Sequence, residues 1–131
     1  MGTRCLTVFM DHGQETAVLY RQHDGYLDGH GTELAAFLSG KTIVNGIPAG
    51  EDTSKMFNGM GCLIASVIAH FKKEVGEFYL YPAGTRDTGE DYTYIVSGKA
   101  GGEAVIEVEG FKGKASEFGA WLKHRLEKEE E

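Results

Sequence analysis

One stretch of the sequence concentrates the side chains that could do chemistry. Residues 20–31 contain two histidines, two aspartates, one arginine, two tyrosines and three glycines. The stretch separates an apparent strand from an apparent helix, and loops in that position often carry functional groups because rigid elements on both sides fix their geometry. The side chains we expect to be free for ligand contact are Arg21, His23, Tyr26 and His30.

The same stretch also contains the residue types of a metal site. Imidazole and carboxylate groups together suit zinc, manganese or iron. Their spacing matches neither the i, i+4 histidine pair of a metalloprotease helix nor the calcium loop of an EF-hand. The two Asp-Gly pairs are more typical of turns, in which aspartate oxygens accept hydrogen bonds from nearby amides. We predict no metal and no cofactor; the alternative is a metal-dependent hydrolase built on His23, Asp24, Asp28 and His30.

Two further groups could bind an anion. Gly59 and Gly61 stand at the start of the most regular predicted helix, where unpaired N–H groups meet the positive end of the helix dipole. Arg86 is flanked by small turn residues that would present its guanidinium to a phosphate or carboxylate, and Tyr81 could stack on a planar base. The plainer alternatives are close packing of the helix start and an arginine paired with a neighbouring aspartate.

Hydrophobic periodicity predicts the elements that position these groups. Alternating patterns predict strands, and apolar residues repeating every three to four positions predict helices. The order β-β-α-α-β-β-β-α predicts an α+β fold, an antiparallel meander of about five strands with helices packed on one face. The expected strands cover residues 4–10, 16–20, 77–81, 90–97 and 103–109, and the expected helices cover 32–38, 57–73 and 117–128.

Length and composition limit the class of protein. The 131 residues predict a single domain, 1–131, whose acidic tail at 127–131 is expected to fray. A net charge of −7 argues against a protein that binds the backbone of long nucleic acids. The apolar runs are too short to span a membrane and the N-terminus lacks a signal peptide pattern, so we expect a cytoplasmic protein without membrane contact. Cys5 and Cys62 are expected to be reduced and buried.

Four segments of the sequence, residues 1–4, 20–31, 58–61 and 79–87, together resemble a family of small phage and prophage proteins. The resemblance spans most of the chain and implies a counter-defence role in the cytoplasm of an infected or lysogenic bacterium. One class of such factors consists of oligomeric sponges, which bind cyclic nucleotide or cyclic ADP-ribose immune signals without cleaving them.

We therefore predict a homo-oligomeric anti-defence protein that sequesters a small anionic ligand, with a cyclic nucleotide immune signal as the leading candidate. No serine stands in a nucleophile elbow and no cysteine lies beside a histidine, so we expect no catalytic residue. The first alternative is an acidic inhibitor that binds a host defence protein as a nucleic-acid mimic. The predicted ligand-binding residues are Arg4, Arg21, His23, Tyr26, His30, Gly59, Gly61, Tyr81 and Arg86.

Overall fold

The computed structural model describes residues 2–47 and 49–129. These residues contain eight strands and three α-helices. A π-helical turn precedes the first helix and a 3₁₀ turn precedes the last. The elements are β1 (Cys5–Asp11), β2 (Gln14–Arg21), the π turn (Leu27–Gly31), α1 (Thr32–Leu38), β3 (Thr42–Val44), β4 (Met56–Asn58), α2 (Gly59–Phe71), β5 (Phe78–Pro82), β6 (Tyr92–Ser97), β7 (Val105–Val108), β8 (Phe111–Lys114), the 3₁₀ turn (Ala115–Glu117) and α3 (Phe118–Glu129).

The main sheet has six strands in the order β5-β2-β1-β6-β7-β8. Neighbouring strands are antiparallel except β1 and β6, which run parallel. Apolar side chains from all three helices join those of one sheet face in a single core. The predicted α+β class, with a mostly antiparallel sheet and helices packed on one face, is confirmed.

The strand order departs from the predicted meander. β5 pairs with β2 at one edge, whereas β6 pairs with β1 in the middle of the sheet. β1 is apolar on both faces, with Cys5 and Phe9 in the helix-side core and Leu6 and Val8 in a second cluster. A strand that is apolar on both faces is typical of the middle of a sheet, where another strand pairs with each of its edges. Its own sequence does not say which strands these will be. β8 and the small parallel sheet of β3 and β4 were also not predicted.

The face opposite the helices is covered by an irregular connection. β5 and β6 both run parallel to β1, so the chain must cross the sheet between the end of β5 and the start of β6. We call residues 83–91 the crossover segment. Arg86 in this segment donates to Glu15 of β2 at 2.9 Å, and the amide of Asp91 donates to the carbonyl of Arg4 at 2.8 Å. The segment lies over a buried apolar cluster, which consists of Leu6, Val8, Val18 and Tyr20.

Hydrogen bonds within the chain already occupy much of the outer edge of β5. The amide of Phe78 donates to the carbonyl of Gly76 at 2.7 Å, and the carbonyl of Phe78 accepts from Lys72 Nζ at 3.0 Å. Pro82 has no N–H, and its carbonyl accepts from Thr85 Oγ1 at 2.7 Å. Pairing another strand to this edge would require these bonds to break, which is a common protection of exposed sheet edges.

The C-terminal helix ends at residue 129, one residue later than the predicted range of 117–128. α3 ends at Glu129, so residues 127–129 of the predicted frayed tail are helical. Residues 130–131 lie outside the described part of the chain. Arg125 lies 3.6 Å from Glu129, a spacing of four residues that supports the last turn.

Candidate functional site

Arg21, at the end of β2, is a buried charged residue at the centre of a polar network. Its side chain is only 8% exposed. Nη1 donates to Glu33 at 2.9 Å and to Nδ1 of His30 at 3.2 Å, and Nε donates to Glu77 at 3.3 Å. The guanidinium also lies 5.0 Å from the ring centre of Phe78. These contacts hold the guanidinium in one orientation.

His30 is a neutral histidine whose tautomer follows from its partners. Arginine has no acceptor, so Nδ1 of His30 must accept from Arg21. Nε2 then carries the proton and donates to Oγ1 of Thr7 at 2.7 Å. Burial, and then the positive charge of Arg21, lower the pKa of His30 to about 3. Both ring nitrogens are engaged inside the core, which does not favour a general base or a metal ligand at this residue.

The π-helical turn positions His30, and glycines let the chain pack closely around it. A Cβ on Gly25 would stand 2.8 Å from backbone atoms of Arg4, and one on Gly31 would stand 2.8 Å from Phe118. Close approach is therefore the reason for these glycines. Asp24 takes a left-handed φ of 62°, but its carboxylate does not accept from a nearby amide among the contacts of the described residues. The predicted Asp-Gly turns are in this respect wrong.

A cleft of about 250 Å³ opens beside Arg21. Aromatic side chains form part of its wall, and acidic and basic side chains share its surface. We call it the Arg21 cleft. It is lined by Arg21, Glu33, His70, Phe71, Lys73, Glu74, Gly76, Glu77 and Phe78.

Lys73 lines this cleft, whereas Lys41 lies outside the lining, beside Phe37. His70 stacks on Phe37 with ring centres 4.2 Å apart, and Nζ of Lys41 lies 3.7 Å from the centre of the same ring. Desolvation, followed by the charges of Lys73 and Lys41, lowers the pKa of His70. The positive charges of both lysines therefore reach the position of His70.

Of the nine predicted ligand-binding residues, the structure brings Arg21 and His30 together in this network. Arg86 is paired with Glu15 through both of its terminal nitrogens, at 3.1 and 2.9 Å. Tyr81 packs against Tyr20 on the face opposite the helices, with ring centres 5.7 Å apart. These two residues therefore lie on the other side of the sheet from Arg21.

The remaining predicted residues are dispersed. The amide of Arg4 donates to Asp91 at 3.0 Å, and the hydroxyl of Tyr26 lies 3.5 Å from Asp24. His23 is exposed. The other two lie at the start of α2, where Asn58 makes no side-chain cap; they are Gly59, with a φ of 82°, and Gly61, which faces open space.

The sequence patterns did not predict that carboxylates and aromatic side chains would surround Arg21. Glu33 and Glu77 are 12 and 56 residues away from it in the chain. A signal was nevertheless present, because strand residues alternate between faces. Arg21 follows Leu19 on the side of β2 that faces the helices. A buried arginine needs anionic partners, so this pattern could have predicted carboxylates nearby.

The two cysteines have different environments. Burial raises the pKa of the Cys5 thiol to about 12, so little reactive thiolate forms at neutral pH. Cys62 lies on the outer side of α2 and is exposed, which corrects the expectation that both thiols are buried. Both cysteines are free thiols.

Neither a metal cluster nor a membrane span is found in the described ranges, 2–47 and 49–129. Within them, no three His, Cys, Asp or Glu side chains converge in a way that could hold a metal ion. Nor is any helix of these ranges long and apolar enough to cross a bilayer.

Comparisons with protein-family models, with curated proteins and with solved structures return no match to this chain.

Proposed function

We propose that this protein binds a small nucleotide-class ligand in the Arg21 cleft and holds it without cleaving it. The observation that supports this most directly is the guanidinium of Arg21, which three hydrogen bonds fix beside a concave surface. Fixed polar groups next to aromatic walls are typical of small-molecule sites. Phe71 and Phe78 are each 8% exposed, so a small apolar area of the cleft wall is left for a planar base, and Lys73 offers a positive charge to a phosphate.

The size of the cleft suits part of a nucleotide. Its volume of about 250 Å³ is below the roughly 300–1,000 Å³ of most small-molecule sites. We expect a base-sized group to enter and the sugar and phosphate to remain at the mouth. A phosphate near His70 would lie beside the positive charge of Lys73 on the cleft wall.

Binding without catalysis is supported by the state of two buried titratable groups near Arg21. His30 is neutral and enclosed, and the raised pKa of Cys5 keeps its thiol protonated. Neither side chain is exposed to a reacting group. A proton acceptor or nucleophile has to reach its substrate, so neither residue supports a hydrolase.

The biological role in this proposal comes from the resemblance to small phage and prophage proteins. In that role the protein would be an anti-defence factor in the bacterial cytoplasm. It would sequester a cyclic nucleotide or cyclic ADP-ribose signal and so withhold it from a host receptor. Tight binding without turnover is sufficient for this role.

Thermal unfolding with a panel of nucleotides tests the proposal. A bound ligand at about 100 times its Kd stabilises the native state by about 2.7 kcal/mol, which raises Tm by about 8 °C for a domain of this size. The panel should contain AMP, GMP, cyclic dinucleotides and cyclic ADP-ribose. The Lys73→Gln variant should show a smaller rise, because it removes a positive charge from the cleft.

Lys123→Gln on the exposed side of α3 is the matched control and should respond as the wild type does. Histidine NMR signals give a second readout, since a phosphate close to His70 should raise its pKa. The ligand should be recovered intact by chromatography. A Tm that no member of the panel raises would contradict ligand binding, and conversion of the ligand would contradict the absence of catalysis.

We also propose that the protein forms a homo-oligomer through the outer face of α2. That face carries small, uncharged side chains, and such a surface lets another helix approach closely. The blocked edge of β5 does not favour assembly by strand pairing. The exposed small residues of α2 are Gly61, Cys62, Ala65 and Ala69.

Thiol labelling of the native protein is expected to distinguish the two cysteines and to report on assembly. Cys62 should react readily in dilute solution, whereas Cys5 should react only after unfolding, because burial both shields its thiol and raises its pKa. Labelling of Cys62 should slow as protein concentration increases, in parallel with the mass measured by light scattering. A concentration-independent rate and a monomeric mass would contradict the oligomer, and rapid labelling of native Cys5 would contradict its burial.

A further inference from the structure

We infer that the Arg21 cleft selects a ligand whose planar ring carries an exocyclic amine; this inference rests on the proposed function. Three carboxylates, those of Glu33, Glu74 and Glu77, line the same small cleft. Ionised carboxylates only accept hydrogen bonds. A ligand that enters must therefore bring donors, and an amine on a ring supplies two of them.

The carboxylates retain acceptor capacity after their bonds to Arg21 are counted. Arg21 uses Oε2 of Glu33 and Oε1 of Glu77. The second oxygen of each makes no hydrogen bond within residues 2–47 and 49–129, and neither oxygen of Glu74 does. These oxygens are the acceptors that a ligand amine would meet.

Arg21 adds a donor to this set. Its side chain is more than nine-tenths buried, yet Nη2 makes no hydrogen bond within the described ranges, and a carboxylate oxygen of Asp24 lies 4.0 Å from it. Within the described ranges, every side-chain nitrogen that solvent does not reach has a hydrogen-bond partner. Because Nη2 has no such partner, solvent reaches it. Where a ligand reaches the side of the guanidinium that faces Asp24, Nη2 can donate to its ring nitrogen or carbonyl.

A ring that presents an amine beside an acceptor matches this combination. Adenine and cytosine place an amine next to a ring nitrogen that accepts, and guanine places one between the acceptor N3 and the donor N1–H, with the carbonyl beyond N1. Replacing the amine by a carbonyl, as in hypoxanthine or uracil, would set an acceptor against a carboxylate. Loss of a hydrogen bond to a charged group weakens binding by about 10- to 100-fold. The small exposed parts of Phe71 and Phe78 contribute the apolar area of the cleft.

Calorimetric titration with AMP, GMP and IMP tests this inference, because IMP is the amine-free counterpart of the other two. We expect IMP to bind about 10- to 100-fold more weakly than whichever of AMP and GMP binds better. CMP and UMP provide the same comparison on a smaller ring. Glu74→Gln, at an exposed residue, should reduce the preference because an amide can also donate to a carbonyl. Glu77→Gln is the second variant, and Glu107→Gln on β7 is the matched control.

The outcomes separate the inference from the proposed function. If none of the five nucleotides binds, the inference is overturned, whereas the proposed function fails only if the cyclic members of the thermal panel also leave Tm unchanged. If IMP binds as tightly as AMP and GMP, and UMP as tightly as CMP, binding stands and selection of an amine is overturned. If both Gln variants retain the full wild-type preference, the carboxylates do not read the amine and the assignment is overturned. A preference that falls in either cleft variant but not in Glu107→Gln supports it.

Discussion

Replacing Arg21 by methionine is expected to lower the free energy of unfolding by about 2 to 4 kcal/mol. Methionine fills part of the volume but leaves Nδ1 of His30 without a donor and removes the cation shared by Glu33 and Glu77. The side chains of these two glutamates are 48% and 30% exposed, so water can solvate them in the variant. The loss should therefore be smaller than for a fully buried ion pair. Denaturant unfolding at pH 7 measures it.

Arg86→Met is the matched control for this prediction, since it removes an arginine that also contacts a carboxylate through two nitrogens. The Arg86 side chain is 39% exposed, and the pair with Glu15 is expected to contribute less than about 1 kcal/mol. Arg21→Lys should lie between wild type and Arg21→Met, because it retains the charge but not the forked geometry. Equal losses for Arg21→Met and Arg86→Met would contradict a central role for the buried network.

Acidification is expected to destabilise the protein through His30. The pKa of this histidine is about 3 in the native state and about 6.5 in the unfolded chain. Above pH 6.5 both states are neutral, and His30 does not oppose folding. As the pH falls below 6.5 the unfolded state binds a proton that the native state excludes, so stability decreases until the pH reaches the native pKa. Between pH 7 and pH 4 we expect a loss of about 3 kcal/mol from this residue.

Carboxylates also titrate in this range, and the His30→Gln variant separates their contribution. Glutamine can accept from Arg21 and donate to Thr7, so the variant should fold with reduced stability at pH 7. Its stability should fall less steeply than that of wild type between pH 6.5 and 4. In the wild type, the NMR signals of His30 should remain unchanged down to pH 4. Titration of His30 near pH 6, or equal slopes for the two proteins, would contradict the prediction.

The buried network also gives the proposed ligand site a rigid base. Side chains on rotatable stems lose entropy when they bind, and groups already held in place lose less. Arg21 is held by Glu33, Glu77 and His30 before any ligand arrives. The Arg21→Met variant should therefore lose affinity for nucleotides even under conditions in which it remains folded.

Most of the secondary structure and the α+β class could be predicted from the sequence alone. The period of apolar residues in α2 and the short apolar run of β1 are local patterns, and local patterns survive in any tertiary arrangement. The position of β6 beside β1 could not be predicted in this way. That pairing joins strands that lie far apart in the chain, so no local pattern specifies it. The path of the crossover segment depends on the same pairing.

The sequence by itself determined that residues 20–31 contain an unusual set of polar groups at a strand-to-helix junction. It also identified Arg21 and His30 as important, although as exposed ligand contacts. Only the tertiary structure decided that both are buried, that His30 is neutral, and that Glu33 and Glu77 surround the guanidinium. The physical reason is that burial and pairing depend on what covers a side chain. For Arg21 the covering groups come from α1, from the end of α2 and from the start of β5.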